Sequence, residues 1–104
     1  MSLLHGLGIS SNLSGYKYIK EAVLLSLHHP KKSTVELYRE IAHIFDTRPG
    51  NVERSIRYAI EVGFCKGNQE LIESLFGYSF DENKGKATNS EFIATIVERI
   101  QMET

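Results

Sequence analysis

Apolar residues recur at helical spacing along most of the chain, and no stretch alternates convincingly enough to make a strand. The clearest pattern runs from Thr47 to Phe64. There Val52, Ile56, Ala59, Ile60 and Gly63 share one close-packing face, while Asn51, Arg54, Arg57, Tyr58 and Glu61 form the opposing polar one. Thr47 reads as the N-cap, and Pro49 falls in the first turn, where its missing N–H costs nothing. Just upstream, Ser33 and Glu36 have the spacing of a capping box ahead of a helix whose apolar side is Leu37, Tyr38, Ile41, Ala42 and Phe45. Only Asp46 to Gly50 separates the two helices, which is the layout of a helix-turn-helix. Asp46 stands where a turn glycine is common, and Ser55 where another apolar residue is usual.

The remaining segments are also helical. Leu3, Leu4 and Leu7 suggest a short helix that Gly6 and Gly8 weaken. From Gly15 to His29 the stripe Tyr16, Ile19, Val23 and Leu27, widened by Ala22, Leu24 and Leu25, predicts a central packing post that ends at Pro30 and Lys31-Lys32. Beyond the long helix, Gly67 is expected in a left-handed stop and Asn68 as the cap of a short helix from Gln69 to Phe76, closed by Gly77. Residues 78–87 read as a loop anchored by Tyr78 and Phe80 that exposes Lys84 and Lys86. Thr88 and Glu91 form a second capping box, and Phe92, Ile93, Ile96, Val97 and Ile100 define the last helix. The expected fold is all-α: a compact bundle of about six helices containing a helix-turn-helix, as a single domain over residues 1–104.

At 104 residues and 41% hydrophobic content, the chain can bury one core. No apolar run nears the ~18 residues of a membrane span, and no charged n-region precedes an apolar h-region, so membrane insertion and secretion are not expected. Cys65 stands alone and cannot make an internal disulfide, in keeping with a cytoplasmic protein. The net charge of −1 argues against indiscriminate nucleic-acid binding. It conceals a split, however. Residues 1–66 carry nine basic and six acidic side chains, and residues 67–104 carry three and seven, so an anionic partner would meet the first part.

Catalytic chemistry finds no support. His28 and His29 are neighbours that point about 100° apart on a helix. His5 and His43 lack a partner at i+3 or i+4, so no metal site is expected. No activated nucleophile and no phosphate-cradling glycine motif occurs, and neither a cofactor nor an enzyme activity is expected. What remains is the polar face of the long helix. Arg54 and Arg57 lie one turn apart in its N-terminal half, where a helix-turn-helix presents side chains to base edges. The same residues also fit a solvated surface, since Glu53 and Arg57 have the i,i+4 order of an exposed ion pair. From the residues alone both readings stay open.

The segments GYKYIKEAV, NVERSIRYAIEV, LFGYSF and KATNSEFIATIVERI, in this order, resemble the C-terminal DNA-binding domain of the stage-zero sporulation master response regulator of endospore-forming bacteria. The resemblance runs from about Leu3 to the end. It implies an all-helical effector domain that binds double-stranded DNA at short TGTCGAA-like boxes and regulates sporulation genes. It places Glu53, Arg54 and Arg57 at the bases, with Arg48, Asn51 and Tyr58 as secondary contacts and Lys66, Lys84 and Lys86 on phosphates. Self-association on tandem boxes and contact with RNA polymerase are implied as further partnerships. Gly50-Asn51 replaces the family's usual Ser-Arg, Arg39 stands in place of Pro, and Tyr58 in place of His, departures that bear on the DNA sequence preferred more than on the fold. No receiver domain is recognisable, so the chain reads as an excised effector domain or a stand-alone relative, and the opening Met-Ser-Leu resembles an expression leader. The alternative is a degenerate helical module that binds another regulator or RNA polymerase rather than DNA.

Overall fold

Side-chain capping sets three of the helix starts. In the computed structural model, which describes residues 2–77 and 87–103, the described chain forms six helices and no strand. They are α1 (Ser2–Gly6), α2 (Ser14–His28), α3 (Thr34–Ile44), α4 (Pro49–Lys66), α5 (Gln69–Phe76) and α6 (Asn89–Glu103). Both capping boxes close. The Ser33 hydroxyl accepts from the Glu36 N–H at 3.2 Å while the Ser33 N–H donates to the Glu36 carboxylate, and Thr88 and Glu91 repeat the exchange ahead of α6. Asn68 caps α5 by accepting from the Leu71 N–H at 3.1 Å.

The turn between α3 and α4 closes differently from the expectation. Asp46 adopts the left-handed conformation with φ of 52°, the conformation for which glycine is usual there. The Thr47 N–H then reaches the Ala42 carbonyl at 2.9 Å and the Asp46 N–H the His43 carbonyl at 3.4 Å, a Schellman closure of α3. Thr47 is therefore not the N-cap of α4. That position belongs to Arg48, held extended (φ −106°, ψ 146°) because the ring of Pro49 disfavours the helical conformation in the residue before it. Gly67 also departs from expectation. It is extended (φ −75°, ψ 173°), since its successor Asn68 must already take the extended N-cap conformation of α5.

Helix α2 is the packing post, lying against α3, α4 and α6. Its Ile19, Ala22 and Val23 are buried with Ile41 of α3, Val52, Ile56 and Ile60 of α4, and Phe92 and Ile96 of α6. Full burial of a side chain of this size stabilises by about 1.5–3 kcal/mol. Leu24 is the exception on α2, 47% exposed, so the apolar stripe is narrower than its sequence suggests. At the start of α2 the backbone touches α4: a Cβ on Gly15 would lie 2.6 Å from the Ala59 Cβ and closer still to the Ser55 carbonyl oxygen. The five-residue α1 is too short to hold itself together, and burial of Leu4, Leu7 and Ile9 holds it in place. The segment lies across the end of α4, where a Cβ on Gly63 would sit 2.5 Å from the Leu7 carbonyl oxygen. Phe76 then links α4 to α6, its ring 5.2 Å from Phe64 and 5.4 Å from Phe92. No helix among the described residues is long and apolar enough to cross a membrane.

Candidate nucleic-acid interface

The buried stripe of α4 dictates what its other side exposes. With Val52, Ile56, Ala59, Ile60 and Gly63 turned into the core, Arg54, Arg57, Tyr58 and Glu61 face solvent, and Asn51 and Glu53 lie half-buried at the margins. Arg54 and Arg57 are separated by about 4.5 Å along the axis. Arg57 Nη1 donates to Glu53 Oε1 at 3.0 Å, and the two side chains keep 50% and 34% of their accessible surface. An ion pair that exposed stabilises by only about 0–1 kcal/mol, less than the roughly 1–3 kcal/mol of a good bidentate base contact. The pair therefore orients the guanidinium without withholding it from a better partner.

The secondary candidates lie at the start of α4 and, in Tyr58, two turns further on. Arg48 is exposed at the N-cap, and Asn51 Nδ2 donates to Thr47 Oγ1 at 2.9 Å, tying the first turn to the loop before it. Tyr58 is 58% exposed.

Helix α4 thus forms a ridge between two grooves. One groove runs along Arg54, Ser55 and Tyr58 with Asn12 to Gly15, at the start of α2, as its far wall. The other runs along Glu53 and Arg57, with Tyr38 and residues Ala87 to Ser90, at the start of α6, as its far wall. Asn89 crosses this second groove, its Nδ2 donating to the Tyr38 hydroxyl at 3.0 Å and to the Glu53 backbone carbonyl at 3.1 Å. Burial raises the Tyr38 pKa above its ordinary value. The Asn89 hydrogen bond and the Arg57 charge oppose that shift, and the Glu53 charge adds to it.

The structure brings Glu53, Arg54 and Arg57 together with Arg48, Asn51 and Tyr58 over the first three turns of α4. It does not bring Lys66 to them. That lysine is exposed at the C-terminal end of α4, about 14 Å beyond Arg57 along the axis and about half a turn round it, where its charge also suits the helix dipole. Lys84 and Lys86, with Tyr78 and Phe80, lie outside the described residues. Among the described residues no three His, Cys, Asp or Glu side chains come together as a metal site would require, and Cys65 is exposed as a free thiol. Sequence reasoning missed the groove walls. Asn12 to Gly15 and Ala87 to Ser90 read as loop and cap, and no local spacing signals which helix they will flank.

The all-helical fold agrees with a comparison against known families, in which the model described as the sporulation initiation factor Spo0A C terminal matches residues 1–100. The chain belongs to this family, the C-terminal DNA-binding domain of sporulation transcription factors.

Proposed function

We propose that this chain reads short TGTCGAA-like boxes in double-stranded DNA by laying the helix around residues 48–64 in the major groove. The observation that carries the reading is the exposure of Arg54 and Arg57, one turn apart, on the N-terminal half of the second helix of a helix-turn-helix. In this reading the two arginines pair with guanine edges and Glu53 accepts from a cytosine amine. Arg48, Asn51 and Tyr58 flank them, and Lys66, Lys84 and Lys86 contact phosphates, positioning the protein without specifying sequence. The groove beside Arg54 and Tyr58 supports it, since its far wall is the N-terminal end of α2, where no side chain caps the helix and no acidic residue stands in the first turn, so its backbone N–H groups suit phosphate oxygens. Nothing in the chemistry calls for a cofactor.

One copy presents few contacts, so the protein binds as a monomer in solution that assembles side by side on tandem boxes, where the contacts of two copies add. RNA polymerase is the further partner this role brings with it. The test is titration of a fluorescent duplex carrying two TGTCGAA-like boxes against a scrambled duplex at two salt concentrations. The expected result is preference for the boxes with affinity that falls as salt rises. Equal binding to both duplexes would remove the proposed operator, and no salt-sensitive binding to any duplex would turn the reading toward a protein partner.

A further inference from the structure

Asn89 joins three helices at the turn of α4 that carries two of the candidate reading residues. Its Nδ2 lies 3.0 Å from the Tyr38 hydroxyl on α3 and 3.1 Å from the Glu53 carbonyl oxygen on α4. A carbonyl can only accept, so the amide nitrogen, and not the amide oxygen, faces α4, and its two protons serve the two acceptors. In an α-helix the Glu53 carbonyl also receives the N–H of the residue four further on, which is Arg57. The Asn89 amide thus occupies the second lone pair of the peptide oxygen shared by Glu53 and Arg57, whose side chains are themselves joined at 3.0 Å. Capping does not require asparagine at this position. The exchange between Thr88 and Glu91 already completes the start of α6, which leaves the Asn89 side chain to reach across the groove.

Building on the reading that Glu53 and Arg57 meet base edges, we infer that Asn89 is a positioning residue for DNA recognition. By tethering the Glu53 carbonyl to α6 and, through Tyr38, to α3, it fixes the rotation of α4 about its own axis and so the direction in which the pair is presented. The buried stripe of α4 is apolar, and apolar contact is non-directional, whereas a hydrogen bond fixes an angle. At a side-chain radius of about 5–6 Å, a rotation of about 10° carries a guanidinium through about 1 Å. That is twice the roughly 0.5 Å within which a positioned contact must be held.

The test compares wild type, Asn89→Leu and Ile93→Val, the last a truncation in the buried face of α6 that lowers stability without touching the groove. Asn89→Ala replaces the leucine variant if that protein does not fold. Two quantities are read. In the free protein, the ¹H–¹⁵N resonances of residues 53–57, including the Arg57 side chain, shift in the Asn89 variant and stay in place in Ile93→Val. On DNA, the ratio of affinities for box and scrambled duplexes falls about tenfold in the Asn89 variant and is retained in Ile93→Val, which a purely structural role would not produce. Unchanged resonances at 53–57, or a retained ratio in the Asn89 variant, overturns the inference. If wild type itself shows no preference for the boxes, the reading of the operator has failed, and the free-protein resonances alone decide whether Asn89 positions the helix.

Discussion

Gly15→Ala is expected to destabilise the protein even though glycine-to-alanine in a helix ordinarily stabilises it. Gly15 is the second residue of α2, where propensity alone favours alanine by up to about 1 kcal/mol. The new Cβ, however, would lie 2.6 Å from the Ala59 Cβ and against the Ser55 carbonyl oxygen. Carbon atoms in contact prefer about 3.5–4.0 Å, so α2 and α4 must part locally by roughly 1 Å. Neither neighbour is the end of a flexible side chain that could swing away; one is backbone and the other a methyl on Cα. Overpacking costs about 1–3 kcal/mol, and two contacts well under 3.0 Å, one of them to backbone, put this site in the upper part of that range, so about 1–2 kcal/mol of net loss remains after the propensity gain. With about 4–8 °C of melting temperature per kcal/mol in a domain of this size, the expected fall is on the order of 5–15 °C. Thermal unfolding followed by far-ultraviolet circular dichroism measures it. A melting temperature equal to or above that of wild type would refute the close approach of the two backbones at this point.

Gly50→Ala supplies the opposite sign at the equivalent position of α4. A Cβ there meets only Arg54 Nη1, at 3.5 Å, so the variant should gain about 0.4–1 kcal/mol in the same melt, and a loss would show that Gly50 is held in a conformation alanine resists. Arg54→Ala should weaken binding to the box duplex by about 1–3 kcal/mol and blur preference at one base pair, and equal losses on box and scrambled DNA would remove Arg54 as a base reader. Glu40→Gln tests the Lys32–Glu40 pair. The Lys32 hydrogen bond holds the Glu40 pKa below its usual 4.5, so the pair's contribution is full above that value and lost as pH falls through the depressed one. The melting difference between wild type and Glu40→Gln should therefore be small at neutral pH, because both side chains keep about a third of their surface in water, and vanish in acid; a difference that persists in acid has another origin.

Most of the helical framework was legible because its signals are local. Ser33 with Glu36, Asn68 with Leu71 and Thr88 with Glu91 are separated by three residues each, and all three caps form as the spacing suggests. Thr47 misled because it is a good capping residue one position too early. The constraint that decides the start of α4 comes from Pro49, which forces its neighbour Arg48 into the extended conformation. Gly67 misled for a related reason, since the following helix begins too soon for a left-handed stop. The exposure of Arg54 and Arg57 followed directly from the apolar stripe on the other side of α4. The bridge from Asn89 to Tyr38 and Glu53 did not, because it spans 51 and 36 residues of sequence and exists only once α3, α4 and α6 have docked. The groove walls were hidden by the same non-locality.

The open space around Gly50 has a consequence for how such a protein can diversify. Most of α4 is constrained on at least one side: Gly63 by the Leu7 carbonyl, Ser55 and Ala59 by Gly15, and Val52, Ile56 and Ile60 by the core. The first turn, by contrast, carries exposed Arg48, Pro49 and Gly50, and a side chain added at Gly50 meets no backbone. Substitutions there can change what the tip of the helix offers to a base pair while leaving the folded scaffold intact. Under the proposed reading, operator preference and structural integrity fall on separate residues of one helix, so the target sequence can be retuned at exposed positions without unfolding the scaffold.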